Sequence, residues 1–497
     1  MSISRVTLAA LTLVGCSERV VDLMEMKQQG ADMTSTHLAS CGSASGLEIH
    51  AAEAEAALSV TWNDGEVAPG GYRVRWGRAT GEYEGTQTIA CGRPGCEAVL
   101  GGLIDDTDYY VVVDALDGAG EVARTSCELV VTPHVVAFEA DAAIAEPTSK
   151  PQDFPALVVG VEGAPLFVAW EEGDGGYLAR SDDRGDTWAA PVALGSGADT
   201  RPALGLREAA TIDGASIPAA LFVAYAEAGS IVVLEGASPS SPAEPLALGS
   251  PTTLGVGAAP AVAALADAVH VVYERDGQIF AASRVGDAGF GAEVRVDTGE
   301  GEATGAAIAV DPSTLAIHVA YQARRPDGDY DVYLNTSTDR GGTFGAQEVR
   351  VDDDLTDADQ TDVSIAVDDR SRQVHALWKD GRSGGVYLSR SFDGAASWEP
   401  GLDLAVGLGG DPVTPRAALD HGRNAYVIFL EGSRPIFSRA NASGIFDPPI
   451  APSAAAGATG IKADHPTVAV DSIGTIYAAW SEGRGAKGGV IHFARTP

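Results

Sequence analysis

Positive charge is what this sequence has least of. Only 33 Lys and Arg stand against 69 Asp and Glu, which gives a formal charge of −36 and a pI near 4.4. So acidic a chain repels phosphate backbones and anionic membrane surfaces, and this excludes nucleic acid as a partner. Long apolar runs are also missing. The stretch from Val6 to Val14 is too short to span a bilayer, and no other stretch reaches that length. Cysteine is scarce, at five residues, and the nine His are scattered. What the chain does have is 45% hydrophobic residues, with 60 Gly and 26 Pro punctuating short β-rich runs. That pattern predicts an all-β protein with many turns, and 497 residues leave room for about two to four domains.

The opening Met1-Ser2-Ile3-Ser4-Arg5 carries one positive charge ahead of the apolar run, as a signal peptide does. Leu13-Val14-Gly15-Cys16 resembles a bacterial lipobox. The resemblance implies a signal peptide over 1–16, lipidation of Cys16 and a polar tether over 17–40. It implies a lipid-anchored place in the cell envelope, at the outer membrane or cell surface. The alternative is an ordinary signal peptide with an incidental Cys. The other four cysteines, Cys41, Cys91, Cys96 and Cys127, allow three pairings in an oxidising compartment. The turn-forming Gly92-Arg93-Pro94-Gly95 favours a Cys91–Cys96 staple, leaving Cys41 and Cys127 to bracket the segment. A zinc site is the rival reading, but no His lies near either pair.

Residues 41–133 alternate as half-buried strands, for example Leu58-Ser59-Val60-Thr61-Trp62 and Tyr72-Arg73-Val74-Arg75-Trp76. The run from Leu103 to Ala115, with Thr107, Tyr109, Val111 and Val113 at spacing two, resembles the tyrosine corner and sixth strand of a fibronectin type III domain. Trp62 would be its core tryptophan. Asp105 stands where that family has Pro, and no Arg-Gly-Asp triplet sits in the last loop. The resemblance implies a spacer or interaction module.

From 134 to 497 the chain repeats. An apolar strand ends in an aromatic at Trp170, Tyr225, Tyr273, Tyr321, Trp378, Phe429 and Trp480, at spacings of 55, 48, 48, 57, 51 and 51. Another apolar strand precedes each, and further strands follow. Four strands per roughly fifty residues make a propeller blade. The last unit stops one strand short. Val135-Val136-Ala137-Phe138-Glu139 is expected to supply that strand and close the ring, which hides the open edges. Seven blades follow, with six as the alternative.

Three turns share a motif: Ser181, Asp183, Gly185 and Trp188; Ser337, Asp339, Gly341 and Phe344; and Ser391, Asp393 and Trp398, with Ala395 at the Gly position. They resemble the Asp-box of the bacterial-neuraminidase repeat, a structural turn that implies a sialidase-like β-propeller. The fold class is therefore all-β: a fibronectin type III sandwich followed by a seven-bladed (alternatively six-bladed) sialidase-like β-propeller. Carry-over of catalytic residues fails. The chain lacks the Phe/Tyr-Arg-Ile-Pro motif, its nearest arginines Arg201 and Arg416 lack the flanking aromatic, and no Tyr is recognisable as the nucleophile. No catalytic residue, cofactor or metal ligand is assigned.

The candidate ligand-binding ring lies two residues past the repeated aromatic. It comprises Glu172, Glu227, Asp380 with Arg382, Glu431 with Arg434, and Glu482 with Arg484. Alternating acid and Arg suit a zwitterionic, cationic or carboxylated ligand. The opposing reading is that each pair bridges within its own turn. The loops Asp352-Asp353-Asp354 to Asp362 and Pro326 to Asp331 have the oxygen density for Ca²⁺ but no EF-hand spacing. His270, His318 and His375 share one strand position in different repeats, which points to a structural role. The expected function is a surface-tethered, non-catalytic, monomeric lipoprotein that binds a glycan, a cell-wall component or a surface protein. A glycoside hydrolase of the exo-sialidase kind and an envelope-assembly scaffold are the competing classes.

Overall fold

The computed structural model describes the chain from 39 to 497 apart from 42–46, 55–56, 65–67, 92–94, 105–106, 134–135, 197–199, 213, 238–245, 326–327, 369–371, 406–411, 421–423, 441–448, 454–460 and 485–486. The expected signal peptide with Cys16, the tether as far as 38, and the side chains of Cys41 and Arg484 lie outside the described residues. Within these, one 3₁₀ turn, Val161–Gly163, is the only helical element, and no helix is long and apolar enough to cross a membrane. Two units separate, one ending near 133 and one beginning near 136.

The first unit is two antiparallel sheets. One orders β1 (Ala39–Cys41), β2 (Leu47–Ala54), β3 (Ala57–Asp64) and β6 (Gly95–Gly101). The other orders β5 (Gly85–Ile89), β4 (Tyr72–Gly77), β7 (Tyr109–Leu116) and β8 (Val122–Thr125), with β9 (Leu129–Val131) on the far part of β7. Ala39 and Ser40, expected outside this unit, pair with Ala51 and His50. Strict alternation puts Leu58, Val60 and Trp62 of β3 against Tyr72, Val74, Val111 and Val113 in one core. The Ile104 N–H donates to the Tyr109 hydroxyl at 3.1 Å, which ties the loop before β7 to the strand. Cys91 and Cys96 are bonded, and Cys127 is disulfide-bonded as well.

Among the described residues the second unit holds seven antiparallel sheets of three or four strands and one two-stranded ribbon, Ala210–Ile212 with Ala215–Ile217. Sheet one is Gln152–Val159, Leu166–Glu172, Gly175–Ser181 and Val192–Ser196; sheet two is Ala203–Arg207, Ala220–Glu227, Ser230–Ala237 and Thr252–Val256. Sheet three is Ala258–Leu265, Ala268–Arg275, Gln278–Val285 and Val294–Arg295; sheet four is Glu302–Val310, Ile317–Arg324, Tyr330–Ser337 and Val349–Arg350. Sheet five is Gln360–Val367, Val374–Asp380, Gly385–Ser391 and Leu402–Asp403; sheet six has three strands, Pro412–Leu419, Ala425–Glu431 and Arg434–Ala440. Sheet seven is Ile461–Val470, Ile476–Arg484, Lys487–Arg495 and, from the other end of the unit, Ala142–Ala143.

The first strand of each sheet lies beside that of the next, and sheet seven's lies beside sheet one's, so the inner strands complete a circuit. The seven repeated aromatics each fall in the second strand, and none is more than 2% exposed. A second strand is covered on both faces by neighbouring sheets, which is why it reads as a continuous apolar run. Each such aromatic contributes about 1.5–3 kcal/mol by burial.

The closing strand differs from expectation. It is Ala142–Ala143, paired with Phe493 and His492, rather than 135–139. The earlier segment is drawn inward instead. Val136 and Phe138 pack with Tyr426, Phe437 and Trp480, while Glu139 donates its N–H to the Arg495 carbonyl at 2.8 Å and its carboxylate accepts from the Arg495 guanidinium at 3.0 Å.

Candidate ligand-binding site

The Asp-box turns show what the motif residues are used for. In all three the Ser hydroxyl donates to the Asp carboxylate, at 2.8, 2.8 and 2.9 Å, and accepts the N–H of Gly185, Gly341 or Ala395. The Asp then accepts the N–H and hydroxyl of Thr187, Thr343 or Ser397. Hydrogen bonds from Thr343 and Ser337 hold the Asp339 carboxyl down at about 2. The motif Ser and Asp spend their polar atoms within their own turn, which marks them as structural.

The acids two past the aromatic do not converge. A strand alternates, so they face the same way as the buried aromatic. Three of them accept the indole N–H from that residue: Trp170 to Glu172 at 3.4 Å, Trp378 to Asp380 at 3.1 Å, and Trp480 to Glu482 at 3.4 Å. Glu172 also accepts from Thr148 and Gln152. Glu227 accepts the Ser196 N–H of sheet one at 3.1 Å. Arg382 folds back on fully buried Asp380 at 2.6 Å and reaches Asp353 at 2.8 Å. Burial works against the Asp380 charge, but Arg382 outweighs it and keeps the carboxyl below its usual range. Glu431 and exposed Arg434 face one another across a tight turn.

The residue one past the aromatic is the one that faces the next sheet's inner strand, and there lies a constellation that sequence reasoning missed. Near the start of each inner strand one residue takes positive φ: Phe154 (51°), Arg201 (34°), Ala259 (46°), Gly305 (66°), Asp362 (57°), Thr414 (53°) and His465 (45°). In six sheets the register slips there as a β-bulge; in sheet two the strand begins just beyond Arg201. Five of the seven precede a buried proline: Pro155, Pro202, Pro260, Pro415 and Pro466. A bulge leaves a place in the ladder that needs no N–H, which proline can fill. The repeated residue-then-Pro dipeptide was the available signal.

Four of the freed bulge amides are caught from the preceding sheet, while those of Phe154 and His465 are accepted by the adjoining Asp153 and Asp464. Glu171 accepts the Arg201 N–H at 3.1 Å, Glu274 accepts the Gly305 N–H at 2.7 Å, and Gln322 accepts the Asp362 N–H at 2.9 Å. Sheet five has Lys379 at that position, so Asp362 itself accepts the Thr414 N–H, at 3.4 Å. Side chains gather at the same end of the strands. The Phe154 and His465 rings lie 3.9 Å apart, the exposed Arg201 guanidinium caps Phe154 at 4.7 Å, and His465 Nδ1 meets Asp153 at 2.7 Å. The aromatic that Arg201 lacks in sequence thus comes from another sheet. Burial raises the Glu274 carboxyl, with Arg201 opposing. Burial lowers the pKa of the Arg416 guanidinium two residues beyond Thr414, with Asp362 opposing.

Several carboxylates of the two Asp-rich loops are held by the protein's own donors. Asp352 accepts the Val332 N–H at 2.8 Å and Arg350 binds it; Asp354 accepts from Thr356 and Gln360. Asp331, pushed up to about 6 by burial and by Asp352, pairs with Arg350 at 2.5 Å. His270 and His318 bond Ser283 and Thr336 at 2.8 and 3.0 Å, and His375 sits 3.4 Å from Gln373, each in its own sheet.

No family model matches the chain, and no curated protein does. Its fold is similar to that of a protein of unknown function from Dyadobacter fermentans (15% identity, TM-score 0.46, covering 72% of this chain and 98% of that one). It is also similar to the NanB sialidase from Streptococcus pneumoniae (10%, TM-score 0.40, 94% and 91%). A third similar structure is a subtype N10 neuraminidase-like protein of A/little yellow-shouldered bat/Guatemala/060/2010 (10%, TM-score 0.34, 59% and 93%). The structural neighbours of this all-β chain include sialidase-like proteins, all at low identity.

Proposed function

We propose that this chain is a non-catalytic, lipid-anchored envelope protein in which a fibronectin type III spacer carries a seven-bladed propeller. The propeller binds a glycan, a cell-wall component or a protein partner. The observation that carries the reading is the ring of positive-φ bulges, which brings Asp153, Phe154, Arg201, Asp362, Arg416 and His465 to one end of the inner strands. Arg201 and Arg416 offer charge to a carboxylated sugar or peptide, while the carboxylates of Glu171, Glu274 and Asp362 are spent on backbone amides. Sheet order and the Tyr109 bond support the fibronectin type III reading, and the circuit of inner strands supports seven blades.

A glycan array with the purified full chain tests this. Binding to acidic glycans that Arg201→Ala weakens at least tenfold is the expected result; binding indifferent to Arg201→Ala and Arg416→Ala sinks it. The alternative, an exo-sialidase-like glycoside hydrolase, draws on Glu274, whose raised carboxyl is the condition for a proton donor. Turnover of a fluorogenic sialoside that is abolished by Glu274→Gln would decide for the enzyme.

A further inference from the structure

Ring closure concentrates chemistry at one seam. His492 lies opposite Trp480 in the ladder of sheet seven, and Glu482 is two residues on from Trp480, so the two share a face as diagonal neighbours. Asp141 immediately precedes the closing strand. One donor atom from each of Asp141, Glu482 and His492 falls within 4.8 Å of the others. Side chains on paired strands hold such a geometry far better than loops do.

The contacts assign roles. His492 Nδ1 stands 2.7 Å from Asp141 Oδ2, a hydrogen bond that places the proton on Nδ1 and leaves the Nε2 lone pair free. Nε2 faces Glu482 Oε1 at 3.8 Å, beyond hydrogen-bond reach. Trp480 fixes the other side of this arrangement. Its indole N–H donates to Glu482 Oε2, and its ring stacks on His492 with centroids 6.1 Å apart. Two zinc bonds of about 2.0–2.2 Å at a tetrahedral angle span about 3.4 Å, so a small rotation of either side chain closes the gap around an ion. A carboxylate behind the distal ring nitrogen is the usual support for a metal-binding His.

We propose that His492 Nε2 and the Glu482 carboxylate bind a borderline divalent cation of the zinc class, with Asp141 as the positioning residue. Asp141 belongs to the segment that closes the circuit and His492 to the strand it closes onto, so the ion sits beside the seam and is coupled to it through the Asp141–His492 hydrogen bond.

The test uses the purified full chain stripped with EDTA and dialysed against Zn²⁺. One equivalent should be retained by elemental analysis, and the Tm should rise with Zn²⁺ and return with EDTA. Glu482→Gln, which keeps shape and fold, and His492→Gln should each abolish both effects. Asp141→Asn should weaken affinity about 10- to 100-fold. Ca²⁺, which does not favour imidazole, should leave the Tm at its stripped value. The proposal fails if no stoichiometric Zn²⁺ is retained, or if retention survives Glu482→Gln in a chain of unchanged circular dichroism. A Tm that follows pH near neutrality but ignores Zn²⁺ would show a proton, not a metal, between these groups.

Discussion

Arg184, inside the first Asp-box turn, stands 3.6 Å from Asp471 in the turn of sheet seven. The same guanidinium reaches the hydroxyls of Thr475 and Tyr477. Arg340, at the matching place in the second box, pairs with Asp267 of sheet three. The third box has Gly394 there, and Arg372 from the turn of sheet five approaches Asp311 of sheet four at 3.8 Å. The first two boxes therefore shape a turn and also tie their sheet to its predecessor, while in sheet five that tie comes from Arg372 outside the box. The Asp471 side chain is fully buried while Arg184 is 34% exposed, so the pair is worth less than a dry one. Arg184→Ala is expected to cost about 1–2 kcal/mol, measured as a lower urea midpoint, and Arg340→Ala a similar amount. A midpoint unchanged in both would refute the tie.

The Asp-box glycines are constrained by more than conformation. Gly185 has φ of 98°, and a Cβ there would stand 2.3 Å from Phe493 Cε1. Gly185→Ala is expected to lower stability by about 2 kcal/mol or more, since strain and overlap add. Ala395 already tolerates φ of 69° and its methyl is buried. Ala395→Gly should stay within about 1 kcal/mol of wild type, because relieved strain offsets lost burial. Thermal unfolding of the two variants side by side separates these outcomes.

Three buried histidines set an acid limit. Burial lowers His270 and His318 to about 4 and His375 to about 3, each from an ordinary value of 6.5. The folded state thus holds them neutral while the unfolded chain takes up protons. Their contribution is fully present above pH 6.5 and is lost as pH falls toward 4. Each histidine steepens the loss by on the order of 1.4 kcal/mol per pH unit in that window. Urea midpoints taken from pH 7 to 4.5 should fall steeply, and His318→Gln should flatten the slope.

Acids one and two residues past the repeated aromatic are predicted to behave differently. Asp380→Ala strands Arg382 and the Trp378 indole N–H, and should cost about 3 kcal/mol. Glu274→Gln keeps an acceptor for the Gly305 N–H and should be nearly silent in stability, whereas Glu274→Ala should cost about 1–2 kcal/mol. Equal losses for the two Glu274 variants would contradict the capping role.

Much of the fold was legible because burial writes itself into period. Trp170 through Trp480 recur at the second strands, and the Ser and Asp of each Asp-box do what turn chemistry demands of them. The site was less legible. Acids at Glu172 and Asp380 caught the eye by charge, yet strand alternation turns them toward the buried layer and leaves the next-sheet bulge to Glu171, Glu274 and Gln322. Positive φ at Phe154, Arg201 or His465 is marked in the sequence only by the proline that follows, and a residue before proline is ordinarily read as plain extended chain. The closing strand was misplaced because Val136 and Phe138 look strand-like but serve the core, while Ala142–Ala143 has no pattern to read.

That two-residue strand has a bearing on synthesis. Its partner, Phe493, leaves the ribosome some 350 positions later. Through translation of the first six sheets the early segment waits without a mate, and the circuit stays open on both flanks. The circuit can therefore close only once the last strand has docked on this early segment.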